Sequence, residues 1–285
     1  MKALILDRLY GISDLPTLPT VFLNVMRLMR DPNTPMKDLA NAVESDPAIS
    51  MKILKLINSS FYGLARTVDS VQQAIVLLGA NTLKNVVISV SIFKAMGGES
   101  TNSCFNREAF WQHSIGCGLI ARYLGNRIDC ERDEQGFIAG VIHDIGKVVL
   151  DRYFNDELAD ITRLVKERNI SFYSAELETI GTTHAEIGEH LAENWKLPEN
   201  LVAVVGQHHN INPDSDHATL TALIHLSDIL ARKYKVGSGG DNLIPEVDPL
   251  VWQTLNLEPG DLDAMDEELQ IELEKSKELR DLMLR

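Results

Sequence analysis

The chain has 285 residues, 45% of them hydrophobic, which suffices to bury a core in about two structural units and excludes a disordered protein. Forty-one acidic against 27 basic residues give a formal charge of −14, which opposes binding to nucleic acid and to anionic lipid. The most apolar run, 86–93, is far shorter than the roughly 20 residues of a membrane helix. Cys104, Cys117 and Cys130 form no CxxC pair and are expected to be packing residues. Together with a start that lacks an apolar leader, these features predict a cytoplasmic protein without a membrane partner.

Apolar residues recur at helical spacing along almost the whole chain, and no stretch alternates at period two over several strands. The sequence therefore predicts an all-α fold. Turn-forming clusters at 97–103 and 236–242 divide it into three parts. We expect an N-terminal helical subdomain (1–98), packed on a helical bundle (104–236), and then a loop with a C-terminal helix (237–285).

Capping side chains mark the helix starts of the N-terminal part. Thr34-Pro35 and Asp46-Pro47 each place a capping residue before a proline, which predicts two short helices that begin there. Further helices are predicted over about 70–78 and about 82–96, the second buried on all sides because it is apolar all round. The segment 36–58 could also form a DNA-binding helix-turn-helix, but its second helix offers only Lys52 and Lys55 as positive charges, so a nucleic-acid partner is disfavoured.

The last part predicts an amphipathic helix over 261–284. Its apolar face contains Leu262, Met265, Leu269 and Leu273. Such a face usually docks on its own domain, which is our expectation, and a homodimer is the alternative.

Histidine and aspartate residues of the middle part carry the chemistry. The string FIAGVIHDIGK (137–147) places His143 and Asp144 side by side on a helix that should end near Gly146. Neighbouring helical residues point about 100° apart, so both reach one metal only beside the helix end, with further ligands from facing helices. Imidazole nitrogens and carboxylate oxygens are ligands that first-row divalent metals accept.

The order His, His-Asp, His, His-His, Asp resembles the ligand series of HD-type metal-dependent phosphohydrolases. It is most similar to the HD-GYP group, which uses a centre of two or three metals on cyclic dinucleotides. Carried over position by position, the resemblance implies seven metal ligands: His113, His143, Asp144, His184, His208, His209 and Asp228. It also implies a divalent cofactor (Fe, Mn, Mg, Ni or Zn), in one or two copies.

In an active site of this kind, Asp144 would span the ions and Lys147 would neutralise substrate phosphate, which makes these two the candidate catalytic residues. After His208-His209 the chain continues NINPDSD in place of the Gly-Tyr-Pro string of the cyclic-dinucleotide enzymes. This departure argues against cyclic di-GMP hydrolysis, while the ligands themselves are untouched.

A longer resemblance, over roughly 13–237, is to bacterial HDOD domains, the HD-related output domains of signal transduction. The strings DLPTLP, DPAISMKILKLINSSFYG and VQQAIVLLGANTLKNVV are similar to the N-terminal half of these domains. HDOD domains resemble HD hydrolases in fold but have generally lost part of the active site and act as non-catalytic regulators. The resemblance implies a signal-output protein that works through other signalling proteins or a small ligand such as a nucleotide.

Several alternatives stay open at this site. The protein could instead be a metal-dependent phosphohydrolase acting on a nucleotide or phosphodiester, or its ligand set could be inherited but empty. Lys147 could be a solvated cation at a helix end, favoured there by the helix dipole. His225 lies three residues before Asp228 on the same helix face and could donate a hydrogen bond to the ligand set.

Overall fold

The computed structural model describes residues 5, 7–9, 11–12, 15–31, 33–97, 104–128, 133–275 and 281–282. Within these ranges the regular elements are all helices and no strand occurs, which confirms the predicted all-α fold. None of the helices in the described ranges combines the length and the apolar character needed to cross a membrane. The chain divides into two compact units, a smaller one of residues 16–97 and 274–285 and a larger one of residues 1–15 and 98–273.

Between residues 16 and 97 the described part of the smaller unit contains five helices. They are α1 (Thr20–Leu28), α2 (Met36–Glu44), α3 (Pro47–Ile57), α4 (Val71–Leu78) and α5 (Ala80–Met96). Every residue of α5 from Val86 to Phe93 is buried, which confirms the helix predicted to be covered on all sides. Helix α5 therefore forms the centre of this unit's core.

Of the two side-chain caps predicted ahead of a proline in the smaller unit, one is confirmed. Asp46 accepts hydrogen bonds from the backbone N–H groups of Ala48 and Ile49 ahead of α3. The expected cap at Thr34 is wrong, because its hydroxyl donates to the carbonyl of Leu28 at 2.6 Å and closes the end of α1 instead. Helix α2 consequently begins behind Pro35 without a side-chain cap.

In the larger unit, residues 5 and 7–9 are helical, and between residues 104 and 275 its described part contains ten helices. They are α6 (Arg107–Arg127), α7 (Asp133–Ile142), α8 (Gly146–Tyr153), α9 (Asn155–Arg168), α10 (Phe172–Thr179), α11 (His184–Asn194), α12 (Glu199–Gln207), α13 (Ala218–Lys233), α14 (Pro249–Leu255) and α15 (Pro259–Lys275). Helix α6 packs along α7 and α13, while α11 packs on α8 and α12. A buried ion pair between Arg107 and Asp151 joins α6 to α8. These helices converge on the candidate site.

The C-terminal helix α15 docks on its own unit, as expected. Leu269 and Leu273 are buried, and the Tyr234 hydroxyl donates to Asp266 at 2.6 Å. The predicted helix beyond 275 lies outside the described residues except for 281–282, which are helical. Among the cysteines, Cys117 is buried as predicted, Cys104 is exposed against that prediction, and Cys130 lies outside the described residues.

Candidate metal centre

The seven candidate ligands come together in the larger unit as two adjacent groups. In each group the potential ligand atoms lie within 4.8 Å of one another, and the groups are Asp144, His184, His208, His209 and His113, His143, Asp228. Asp144 Oδ2 lies 3.4 Å from His143 Nε2 and so connects the two groups. All of these residues are buried except His209, which is partly buried. The structure therefore brings the candidate ligands to one place, while metal binding itself stays a prediction.

His143 and Asp144 lie in the turn between α7 and α8, so the expected helix through Gly146 is wrong. Helix α7 ends at Ile142 because the turn packs tightly against the start of α11. A Cβ atom at Gly146 would overlap the carbonyl group of His184, so this approach needs glycine. The turn brings His143 Nε2 within 3.4 Å of Asp144 Oδ2, although neighbouring residues within a helix point about 100° apart.

Backbone carbonyls orient two of the imidazole rings. His143 Nδ1 donates to the Gly140 carbonyl at 2.7 Å, and His208 Nδ1 donates to the Val205 carbonyl at 3.0 Å. In the neutral form of each ring, the proton is therefore on Nδ1 and the Nε2 lone pair faces the cluster. His225 Nδ1 donates to the backbone carbonyl of His208 at 2.8 Å. His225 therefore positions the backbone of one candidate ligand, and it does not donate to its own helix neighbour Asp228.

Glu176 is a buried carboxylate that the sequence analysis missed. Its Oε2 accepts from His184 Nδ1 at 2.6 Å, and its Oε1 accepts from the backbone N–H of the same residue at 2.9 Å. A carboxylate in this position orients an imidazole for metal binding and raises its basicity. One sequence feature could have indicated its role: Glu176 follows Phe172 and Ala175 at helical spacing, so it lies on the same buried face of α10.

Several buried polar atoms of the centre lack a hydrogen-bond partner among the described residues. They include His143 Nε2 and Asp144 Oδ1. Asp144 Oδ1 lies 2.9 Å from His184 Nε2, at angles that do not make a hydrogen bond. The Nε2 atoms of His184 and His208, whose protons are on Nδ1, are only 3.4 Å apart. Converging lone pairs and an unsatisfied carboxylate oxygen are the donor set of a divalent metal, so the residues fit such an ion.

Two buried cations are paired with the aspartates of the centre. Lys147 Nζ donates to Asp144 Oδ2 at 2.6 Å and to the Gly239 carbonyl at 2.7 Å. Arg232 Nε lies 3.1 and 3.2 Å from the two oxygens of Asp228. The solvated alternative for Lys147 is wrong, because its side chain is only 1% exposed.

These neighbours determine the ionisation of the centre. Burial favours the neutral carboxyl, yet Lys147 and His143 hold the pKa of Asp144 well below its ordinary value. Burial likewise disfavours a charged imidazole, but Asp144 holds the pKa of His143 well above its ordinary value, and Glu176 raises that of His184. Burial lowers the pKa of His208 to about 4.

Burial also dominates at His209, whose pKa it holds well below the ordinary value. His208 and His209 are therefore neutral at pH 7, as metal ligands must be.

The fixed charges of the centre do not balance. Four buried carboxylates face two buried cations: Asp144, Glu176, Asp228 and Asp241 against Lys147 and Arg232. When the histidines are neutral, as metal ligands must be, the equivalent of two negative charges is left, and uncompensated buried charge costs several kcal/mol. One divalent cation would cancel this excess in the metal-bound protein, in place of the protons that the raised pKa of His143 and of His184 favours in its absence.

A glycine-rich segment, the capping loop (236–243), lies over the centre. The Ser238 N–H donates to the Ala109 carbonyl at 2.9 Å, and Gly237 adopts a φ of 63° where a Cβ atom would overlap that same carbonyl. Asp241 accepts from Arg232 Nη1 and from the backbone N–H of Phe172, both at 2.9 Å. The loop thus holds both buried cations, since the Gly239 carbonyl accepts from Lys147.

The model of the HDOD domain family matches residues 15–211, which is more than half of the chain. The chain belongs to the HDOD domain family. The HDOD match includes the smaller unit and continues through the His143-Asp144 turn to the His208-His209 pair. It confirms the resemblance that the N-terminal strings implied.

Solved structures share this HDOD fold. An HDOD domain protein from Geobacter sulfurreducens has a TM-score of 0.80 at 24% identity, with 97% of each chain covered. A candidate phosphohydrolase from Shewanella amazonensis has a TM-score of 0.77 at 21% identity, with 99% of this chain and 98% of that one covered. At these identities, the likeness establishes the fold.

A curated relative of this HDOD protein is an uncharacterized protein of Treponema pallidum, 29% identical over 212 residues. The alignment covers 74% of this chain but 40% of that protein. The chain thus spans less than half the length of this relative.

Proposed function

We propose that this HDOD protein is a cytoplasmic signal-output protein that binds one divalent metal ion in its larger unit and does not turn over a phosphoester. The observation that carries the proposal is the pairing of both aspartates of the candidate ligand set with buried cations under the capping loop. Asp144 and Asp228 are the two carboxylates of that set, and each already forms an ion pair with a basic side chain. A one-ion centre with a regulatory role fits this arrangement better than a two-ion hydrolase site.

The ion would be held by the group of Asp144, His184, His208 and His209, which supplies three imidazoles and one carboxylate. In the other group, Asp228 accepts from His113 Nε2 at 2.7 Å and is paired with Arg232, which already neutralises the charge of this carboxylate. His113, His143 and Asp228 would then orient and balance the centre. When bound, the metal would supply a double positive charge and cross-link the segments that carry its ligands.

The signalling partner is proposed to be another protein or a small ligand. HDOD membership supports this role, and the charge of −14 disfavours a nucleic-acid partner. The proposed partners include a second copy of the chain, in a homodimer, and a nucleotide as the small ligand. The input signal would arrive through one of these partners.

The second candidate function is a metal-dependent phosphohydrolase for a nucleotide or phosphodiester. It is favoured by the full set of seven HD-type ligand positions and by the nearness of Lys147 to Asp144. In that role Lys147 would have to leave the Asp144 carboxylate in order to reach a substrate phosphate. The buried ion pair makes this exchange costly.

Metal analysis and activity screening separate the two functions. Protein purified without chelator is expected to contain about one divalent ion per chain, in line with the excess buried charge, and to leave phosphomonoesters and cyclic nucleotides intact with Mn²⁺, Fe²⁺ or Mg²⁺. Asp144→Asn should lose the ion, whereas Asp160→Asn, at an exposed aspartate of α9, should keep it. Turnover that disappears in His143→Ala and Asp144→Ala would establish the enzyme instead. Wild-type protein that binds no divalent ion would reject the metal centre.

A further inference from the structure

A cavity of about 370 Å³ lies in the larger unit next to the capping loop. Its walls are formed by residues 104–106 ahead of α6, by the second half of α9 with the turn that follows, and by the capping loop. None of the seven candidate metal ligands is among its described lining residues. The cavity is therefore distinct from the metal centre, and its size falls within the range of small-molecule sites.

The lining of this cavity favours an organic anion. Phe105, Val165 and Ile170 give it an apolar side. Among the described lining residues, Lys166 is the one basic side chain and Asp241 the one acidic side chain. Both oxygens of Asp241 already accept hydrogen bonds from Arg232 Nη1 and from the backbone, so its charge is neutralised. Within the described part of the chain, the charge at the cavity that has no ion-pair partner is thus that of Lys166, beside an apolar wall.

The capping loop is shared by the cavity and the metal centre. Ser238, Gly240 and Asp241 line the cavity, while the intervening Gly239 carbonyl accepts from Lys147 on the side of the centre. Asp241 is itself both a lining residue and the partner of Arg232. One layer of backbone therefore separates a ligand in the cavity from the two cations paired with the ligand aspartates.

We propose that this cavity binds a small organic anion, an apolar body carrying a phosphate or carboxylate group, and that the bound ligand weakens metal binding through the capping loop. The sign follows from charge repulsion, because the ammonium group of Lys147 lies 2.6 Å from Oδ2 of Asp144, the carboxylate whose free Oδ1 a metal ion would use. A ligand that fixes the capping loop also fixes this ammonium group beside Asp144, through the Gly239 carbonyl. The coupling rests on the proposed metal centre, whereas ligand binding does not.

Binding is tested on metal-free full-length protein by isothermal titration calorimetry with adenosine monophosphate as the probe. We expect saturable binding that Lys166→Gln weakens and that Lys166→Glu weakens by about tenfold or more, since a charge-assisted contact becomes a repulsive one. Arg163→Glu is the matched control, because it makes the same charge change at an exposed position of α9 outside the cavity lining. Absence of binding, or equal affinity in wild type and Lys166→Glu, overturns the site. Inorganic phosphate that binds as tightly as the nucleotide overturns the role of the apolar wall.

Coupling is tested by measuring Mn²⁺ affinity with and without saturating adenosine monophosphate. The Kd for Mn²⁺ is expected to rise about fivefold or more, and by reciprocity Mn²⁺ should raise the Kd of the nucleotide by the same factor. In Lys166→Glu the nucleotide should leave Mn²⁺ affinity unchanged. An unchanged or tightened Mn²⁺ affinity in the wild type overturns the coupling. If Mn²⁺ does not bind at all, the proposed metal centre fails while the nucleotide titration still decides the cavity site.

Discussion

Glu176 illustrates how a single side chain controls the candidate centre without belonging to the ligand set. It accepts from both the ring and the backbone of His184, and therefore fixes which ring nitrogen faces Asp144. Glu176→Gln keeps the shape but replaces one acceptor oxygen by an amide group. We expect Mn²⁺ affinity to fall about 10- to 100-fold, as measured by isothermal titration calorimetry.

Glu178→Gln is the control for this prediction, because Glu178 lies on the same helix but is exposed and paired with Arg168. It should leave Mn²⁺ affinity unchanged. A Glu176→Gln variant that folds and binds Mn²⁺ like the wild type would show that the carboxylate has only a packing role.

The imidazoles with raised pKa predict a proton release on metal uptake. The pKa of His143 and of His184 is raised in the metal-free protein by Asp144 and Glu176 respectively, against the effect of burial. Each therefore tends to hold a second proton on Nε2. Metal binding must displace the proton of the ligand His184, and the charge of the ion disfavours the proton of the neighbouring His143, so up to about two protons are released. Mn²⁺ affinity should fall as the pH is lowered. Titrations at pH 7 in buffers of different ionisation enthalpy measure the release, and equal heats in all buffers would contradict it.

The sequence predicted the candidate ligands but not the residues that surround them. The motif order was enough to name positions such as His143 and Asp144, which the structure brings together. The burial of Lys147 was unforeseen, because its second acceptor is the carbonyl of Gly239, 92 residues away. Arg232 was missed for a different reason. An arginine four residues after an aspartate is the usual spacing of an exposed ion pair on a helix surface, so nothing in the sequence marked this pair as buried.

Among the elements of the larger unit, the turn between α7 and α8 depends on close contact with α11. Because a Cβ atom at Gly146 would overlap the His184 carbonyl, Gly146→Ala must push the turn away from α11. We expect a loss of about 1–3 kcal/mol in the free energy of unfolding, measured by urea denaturation, as is typical of overpacking. Mn²⁺ affinity should fall as well, since Asp144 and His184 lie on opposite sides of this contact.

Gly260→Ala is the matched control for this substitution. Gly260 lies in α15, and a Cβ atom there would meet nothing within 4 Å. The added methyl group should be neutral or stabilise the helix by up to about 1 kcal/mol. Equal unfolding midpoints for Gly146→Ala and the wild type would contradict the close packing.

The start of a helix was predictable where the capping residue and the apolar periodicity agreed. The prediction was wrong where a contact with a distant part of the chain determined the helix end or the role of the capping residue. Asp46 caps α3, as the sequence indicated, and Ser70 caps α4 close to the predicted start of that helix. The helix predicted to run on to Gly146 ends at Ile142, because the contact with α11 overrides local propensity. Thr34 failed as a cap because its hydroxyl finds the Leu28 carbonyl, six residues earlier.

At the scale of the whole molecule, the candidate ligands belong to segments that are far apart in the chain. His113 and Asp228 are 115 residues apart, and between them come the α7–α8 turn, the start of α11 and the end of α12. A metal ion bound only by the folded protein would therefore oppose unfolding of the larger unit as a whole. At a free concentration of 100 times its Kd, the expected stabilisation is about 2.7 kcal/mol.

Hydrogen–deuterium exchange can locate this stabilisation along the chain. With Mn²⁺, amides of α11 and α13 that exchange through opening of the larger unit should exchange up to about 100-fold more slowly, and a chelator should reverse the change. Asp144→Asn removes a central oxygen ligand and should abolish the effect, whereas Asp160→Asn should retain it. Slower exchange of equal size in Asp144→Asn would mean that Mn²⁺ acts at a site other than this cluster. Unchanged exchange in the wild type, at a concentration where the ion is bound, would show that the ion does not hold these segments together.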